Sequence, residues 1–475
     1  MVRSHRVSRC RYILGWLGFG LCVTLASPSW AVPSFARQTG LACAACHTVF
    51  PELTPFGREF KLNGYVLDNI KQVTGIDTSG RQTLAINSLP PISMNVEISY
   101  ARTGKPLPDS AIQGALAKDG DFLFPEQVSF FYAGKIADGL GAFIQLTYDG
   151  VGDHFGLDNT DIRYAHHFSF GGANGNNHEL IFGVTLNNNP TVQDVWNTTP
   201  AWGYPFASSP TAPGPATSAK VDSGGGGFGQ TVGGLGVYAW LDDHFYVEIT
   251  NYDSAIPGGA HPLDSTQSTV VNGLAPYWRV AYEQRWDRNS LEVGAFGLDA
   301  STHPGAGTAL QGPTDKFKDE AADVQYQFIG ENHFFTFLGT YIHESQTLDA
   351  SVRDGFVAND RNSLNTVKLT GEYYYKRLIG GTVSHFSTTG GNDPLLYGQV
   401  CASCATPAPV VGSATGSPDA RGYILEVDYL PWLNTKLQTQ YVGYQKFNGG
   451  TTNYDGNGRS ASANNTLYML VWIAF

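Results

Sequence analysis

Methionine is nearly missing from this chain of 475 residues: there are three, Met1, Met94 and Met469. Charge is scarce as well, at 15%, and basic charge is scarcest, with 29 Lys and Arg against 41 Asp and Glu and a net charge of −12. So acidic a chain cannot neutralise a phosphate backbone, which argues against a nucleic-acid partner. Beyond residue 31 no apolar run is long enough for a helix to cross a bilayer. No P-loop, catalytic triad or closed metal cage is written into the sequence, which argues against a soluble enzyme. Cysteine is rare too, six in all, and two of these, Cys10 and Cys22, fall in the first 31 residues. Those residues read as a secretory signal: Arg3, Arg6, Arg9 and Arg11 make a basic start, 13–26 is apolar, and Ser29-Trp30-Ala31 supplies a cleavage site. Cleavage there starts the chain at Val32; taking four arginines from −12 leaves −16.

Two of the remaining cysteines stand in Cys43-Ala44-Ala45-Cys46-His47. This is C-x-x-C-H, the attachment signature of a c-type haem. Thiols three residues apart share one side of a helical turn, so both can form thioethers to one porphyrin edge. His47, next in sequence, can reach the iron as proximal ligand. A zinc or disulfide pair is the competing reading, but no second Cys/His pair lies nearby. The expectation is one covalently attached haem c held by Cys43, Cys46 and His47.

Glycine (56 residues) and aromatics (9 Trp, 24 Tyr, 27 Phe) are abundant. From Ile92 onward, apolar and polar residues alternate in stretches separated by turn signals, beginning with residues 92–100 and ending with 464–475. Sixteen such stretches can be counted, an even number, as a closed antiparallel barrel in a bacterial outer membrane requires. Tight links such as Asp242-Asp243, Asp287-Arg288 and Leu433-Asn434 alternate with long polar ones, among them 103–123, 151–158, 190–230 and 391–419. Trp278, Val280, Tyr282 and Trp286 share one face of their stretch, and Arg279, Glu283 and Arg285 the other. Glu248, Glu292, Asp323, Lys368, Glu372, Glu426 and Asp428 also fall opposite apolar residues and would give a polar, wet lumen. Short turns on the periplasmic side place residues 32–90 there too. The domain reading is therefore 1–31 signal, 32–90 haem segment and linker (with 71–81 as polar linker), and 91–475 porin-like barrel.

Residues 33–42 before the haem motif (PSFARQTGLA) and 50–65 after it (FPELTPFGREFKLNGY) resemble the N-terminal haem segment of the fused outer-membrane monohaem cytochrome–porin family, known best from iron-oxidising bacteria. The terminal Phe475 is similar to the aromatic end that outer-membrane barrels show their insertion machinery. The resemblance implies a 16-stranded barrel carrying one haem, with Cys43 and Cys46 attaching it and His47 as proximal ligand. It also implies electron transfer from an extracellular donor, Fe(II) foremost, to a periplasmic cytochrome or other soluble electron carrier. That activity would be of the Fe(II):cytochrome c oxidoreductase kind. Two other functions stay open: a haem-plugged porin with a gating or sensing role, and a conduit reducing an extracellular acceptor.

A haem segment of about 60 residues is short for an independent core. It is therefore expected to be mostly helical and to plug the lumen, borrowing burial from the barrel wall. The sixth iron ligand is open. Met94 shares its parity with Ile92, Val96 and Ile98 and so points to lipid. His154 and His261 fall in outer loops, and His178, His244 and His333 at periplasmic turns. Of the neighbours His166 and His167, His167 shares parity with Asp161 and Arg163 and is the one expected to face inward. A backbone carbonyl near Pro51 or Pro55 could accept the outer ring proton of His47; a plain helix break is the other reading of these prolines. Loop 190–230, with Asp194, Trp196, Trp202, Tyr204 and Phe206, either folds into the lumen or stays outside. Cys401-Ala402-Ser403-Cys404 lacks the following His and reads as a disulfide staple in an outer loop.

Overall fold

The computed structural model describes residues 33–108, 120–171, 177–199, 207–215, 217–222, 227–254, 270–304, 311–399 and 407–475. Among them, sixteen long strands form one antiparallel barrel, each strand pairing with the next in sequence. The first, Ile92–Thr103, pairs with the last, Thr466–Ala474, bringing Glu97 opposite Trp472. Closure leaves no unpaired edge, so every strand satisfies its backbone groups within the sheet, as a wall facing lipid must. The two-residue strand Val270–Val271 adds a short pairing beside Asn289–His303.

Alternation sorts the side chains. On Ala275–Trp286, Trp278, Val280, Tyr282 and Trp286 point outward and are exposed, whereas Arg279 and Glu283 point inward and are buried. Leu235, Val247, Ile249, Val293, Val383 and Val427 add to the exposed apolar belt. A belt of this kind around a closed barrel is covered by hydrocarbon, not water. The fold is thus a porin-like barrel of outer-membrane type. Its tight turns use positive φ where the hairpin twist demands it, as at Asp242 and Asp243 (φ 52° and 59°).

Three sequence expectations need correction. The strand Asp121–Ala137 begins inside the expected link 103–123, because Asp121–Leu123 continue pairing with Ser99–Ala101. Link 151–158 shrinks to a turn at 150–153, since pairing resumes at His154 opposite Asp149. Residues 71–81 are not a bare linker: Gln72–Ile76 and Gln82–Asn87 form a hairpin, its turn drawn in by Asp77, whose Oδ1 accepts from the backbone N–H groups of Ser79 and Arg81.

Before the hairpin stand three short helices, Pro33–Thr39, Cys43–Cys46 and Pro55–Leu62, so the segment is not the mostly helical one expected: loops and the hairpin make up the greater part of it, and Phe35 and Phe60 of the first and third helices reach the wall. Pro55–Leu62 has proline in its first turn and Thr54 as N-cap, accepting from Gly57 N at 3.1 Å. Phe60 and Tyr65 pack with Phe131, Ala133 and Phe143 of the wall. The inward acids beside this segment are buried against protein, so that part of the interior is polar but filled.

Candidate haem site

The site starts from one helical turn. Cys43 and Cys46 lie at its two ends, and the chain leaves it at His47 in extended conformation, held by His47 N–H donating to Cys43 O at 2.8 Å. His47 then pairs in a short bridge with Leu53. This doubling back brings the Glu52 carbonyl, next to Pro51, to 3.2 Å from His47 Nδ1. With the proton on Nδ1 donated there, the Nε2 lone pair is left for a metal. Burial lowers the His47 pKa to about 4, so the ring is neutral at physiological pH, as metal ligation requires. Burial, with Cys43 alongside, pushes the Cys46 thiol up to about 11.

Cys43, Cys46 and His47 face a single apolar cavity, walled by Phe35, Leu41, Phe50, Phe60, Phe143 and Val195. Two thiols and one imidazole on an apolar slot are the donor set of a covalently held haem, and the residues present fit that group. Gly57 also lines the cavity. A Cβ there would collide with the carbonyl of Cys46, so only glycine lets the helix Pro55–Leu62 cross so close to the cysteine turn.

The segment is tied to the wall by polar side chains. Arg58, 1% exposed, donates through Nε and Nη2 to both carboxylate oxygens of Glu283 (2.9 and 2.8 Å). Its other N–H groups reach Gln325, Gln327, Ser290 and the carbonyl of Leu53. Tyr65 donates to Asp161 at 2.6 Å, and Tyr238 of the wall donates to the carbonyl of Leu62 at 2.6 Å. Glu283 was legible as inward-facing; its partner, 225 residues away, was not.

Part of loop 190–230 turns inward. Trp196 is fully buried and donates Nε1–H to Glu283 at 2.7 Å, while Asp194 gathers the backbone N–H groups of Trp196, Thr198 and Thr199. Trp202, Tyr204 and Phe206 lie outside the described residues, as do His261, Cys401 and Cys404.

Among the described residues, the cavity wall carries no methionine and no histidine except His47. Met94 points outward with Ile92 and Val96, as its parity requires. His178 contacts Asp242, His244 the carbonyl of Glu283 and His333 the hydroxyl of Tyr373. His167 departs from expectation: it keeps the parity of Arg163, but residues 166–171 at that strand end are exposed, so it faces no enclosed interior. Besides His47, the polar groups on the cavity are Thr39, Lys61, Tyr65, Asp194 and Asn197.

A second cavity, of about 820 Å³, lies beside the segment. Its lining runs from Asp149 and His154 at the long-loop end to Leu433 and Ala474 at the short-turn end. Phe50 and Pro51 line both cavities. The Phe50 ring is 5.5 Å from the His47 ring and stacks on Trp472 at 5.0 Å, and Trp472 lines the larger cavity.

No protein-family model and no curated protein matches this chain. Solved structures similar to it include a loop L8 deletion mutant of OmpT from Vibrio cholerae, 9% identical, covering 81% of this chain and 98% of that one with a TM-score of 0.45. The outer membrane channel DcaP of Acinetobacter baumannii is 10% identical, with 81% and 96% covered and a TM-score of 0.42. An anion-selective porin from Comamonas acidovorans is 13% identical, with 81% and 98% covered and a TM-score of 0.42.

Proposed function

We propose that this chain is an outer-membrane electron conduit, in which residues 33–70 form a monohaem c-type segment that plugs the barrel from the periplasmic side. The observation that carries the reading is the common orientation of Cys43, Cys46 and His47 onto one apolar cavity, enclosed with help from wall residue Phe143. The hydrocarbon layer is about 30 Å thick, and somewhat thinner in the outer membrane. A haem hanging below the barrel could not relay charge across it; one held among Phe60, Phe143 and Val195 could. The bound group supplies one-electron chemistry. The chain's own part is to hold the His47 ring by Glu52, exclude water with phenylalanines, and lead to the larger cavity through Phe50 and Trp472. The donor is extracellular Fe(II), as the resemblance of residues 33–65 implies, and the acceptor a periplasmic cytochrome or other soluble carrier.

The test uses protein purified from outer membranes. Its spectrum should be that of one covalent c-type haem, and anaerobic Fe(II) should reduce it rapidly. Cys46→Ser should lose most covalent haem while the barrel still forms. Trp472→Leu should keep haem content but slow reduction by Fe(II) several-fold. A haem-free wild type, or a haem inert to Fe(II), overturns the proposal.

A second reading, a porin gated or sensed by its haem segment, is favoured by the cavity that passes the segment from one end of the barrel to the other. Solute flux that changes with redox state, through a haem inert to Fe(II), would select it. Flow in the opposite sense, reducing an outside acceptor, uses the same parts and is separated by the potentials of the partners.

A further inference from the structure

We infer that Phe56, the cysteine turn and the wall residues Lys376 and Arg377 together form a docking surface, at the short-turn end of the barrel, for a soluble electron carrier with an acidic face. This surface rests on the electron-conduit reading and deepens it, by naming where the electron leaves and what charge its acceptor carries there.

Two cations beside the cysteine turn have no acid to answer them. Arg377 sits in the tight turn between the strands Arg361–Tyr375 and Ile379–Gly390, where Lys376 and Arg377 take positive φ (53° and 52°). Its side chain leaves the wall for the haem segment. Nε donates to the carbonyl of Thr48 at 3.2 Å, and Nη2 to that of Ala44 at 3.5 Å. The guanidinium carbon stands 3.7 Å from the ring centroid of Phe334, a cation–π contact. Arg377 is half-buried, and burial alone lowers its pKa, with no neighbouring carboxylate to raise it. Lys376 is exposed, its Nζ 5.4 Å from the ring centroid of Tyr375. Among the described residues neither forms an ion pair, whereas Arg285 has Glu59 and Glu283, and Arg288 has Glu331. Unanswered positive charge at this place stands out on a chain of net charge −12.

An exposed aromatic ring lies on the other side of the same turn. The Thr54 hydroxyl donates to the carbonyl of Ala45 at 2.6 Å, so the helix Pro55–Leu62 starts against the cysteine turn. Phe56, in the first turn of that helix, is 38% exposed. It belongs to the haem segment and not to the lipid-facing belt, and it lines neither cavity. The wall groups that hold the helix, Glu283, Arg285 and Ser290, flank the tight turn Asp287-Arg288, which puts the helix at the short-turn end. The cysteine turn joins the two sides, Ala45 towards Thr54 and Ala44 towards Arg377. Its surface is made of small residues: Ala42 is exposed, and Ala44, Ala45 and Cys46 are half-buried. Alanines over the attachment cysteines let a partner come close to the group those cysteines would hold.

An aromatic anchor with charges at its margin is the composition of a protein–protein interface. Redox encounters use small ones, steered by complementary charge. The partner's matching face is therefore acidic. One electron crosses: the reduced haem is oxidised, the carrier's own redox centre is reduced, and no bond forms or breaks.

The test mixes the full haem-loaded protein in detergent, reduced with Fe(II) and freed of the excess, with two oxidised soluble c-type cytochromes, one of net negative and one of net positive charge. The acidic cytochrome should be reduced faster at low salt, and salt should erase its advantage. Arg377 also grips the cysteine turn, so Lys376 is the cleaner position to change. Lys376→Glu should slow reduction of the acidic cytochrome about tenfold at low salt and little at high salt, while Lys318→Glu, exposed near the long-loop end, should not. Phe56→Ser should slow it several-fold at every salt concentration, yet leave oxidation by ferricyanide, a small ion, unchanged. Haem content and the rate of reduction by Fe(II), measured on the same samples, should match the wild type and show that the variants fold and load. Equal rates with both cytochromes, or indifference to Lys376→Glu in a protein that Fe(II) reduces normally, overturns the docking surface and leaves the conduit standing. A haem-free protein, or a haem inert to Fe(II), overturns both.

Discussion

Where the wall runs from Asp161 through Glu283 to Gln327, its inward side chains are taken up by the N-terminal segment and the inturned loop. Where it runs from Trp472 through Glu97 to Gln145, they face a cavity of about 820 Å³. The same sheet lines both, with the same alternation of polar inside and apolar outside. What differs is who satisfies the acids. Glu283 receives Arg58, Arg285 and Trp196, and Asp161 receives Tyr65, Arg163 and Thr185. Glu126 meets no cation, only the hydroxyls of Tyr468 and Ser99. In the first half the acids meet cations and side chains of the N-terminal segment; in the second they border open space.

The sharpest way to break this contrast is at Arg58. Arg58→Met leaves Glu283 buried opposite an apolar side chain, with Arg285 as its remaining cation. Breaking a buried pair in this way costs about 3–5 kcal/mol. The segment should come loose, seen as protease cleavage within residues 33–70 and as higher single-channel conductance. Adding Glu283→Gln should recover much of the loss, because the orphaned charge goes with it.

A smaller effect is expected at the neighbouring tie. Tyr65→Phe removes one hydrogen bond to Asp161, which still has Arg163 and Thr185. The cost should be about 1 kcal/mol, read as a modest shift in the denaturant midpoint for release of the segment.

The smallest test is one of pH. Burial, with Arg163 nearby, lowers the Lys61 amine from 10.5 to about 8. The unfolded chain holds that proton up to its ordinary value, whereas the folded chain releases it near pH 8. Stability contributed at this residue therefore rises with pH between those two values and is lowest below them. Lys61→Met should flatten that rise in the melting temperature of the segment, and a rise that persists would place its source elsewhere.

The barrel was legible because membrane burial imposes a strict rule on every strand. Trp278, Val280 and Tyr282 had to face out, and Arg279 and Glu283 in, whatever their neighbours were. The boundaries were less legible. Residues 121–123 and 154–157 read as polar link, yet they pair in the sheet, since a ladder at the barrel rim is held by backbone bonds that carry no hydropathy signal. The hairpin at 72–87 was missed for the same reason. At the candidate site, Cys43, Cys46 and a carbonyl partner for His47 could be named from spacing. The cavity wall could not, because Phe143 and Val195 come from distant strands and loops.

The sequence alone determined the number of strands, the inward and outward faces and the closeness of Cys43, Cys46 and His47 on one turn, since each depends on periodicity or on neighbours within five positions. Tertiary structure alone decided that Arg58 meets Glu283, that Trp196 lies inside, and that Glu126 turns into the cavity. Those outcomes depend on which parts of the wall come to face one another when the sheet closes, and on a bulge that breaks the very alternation by which the strand was recognised.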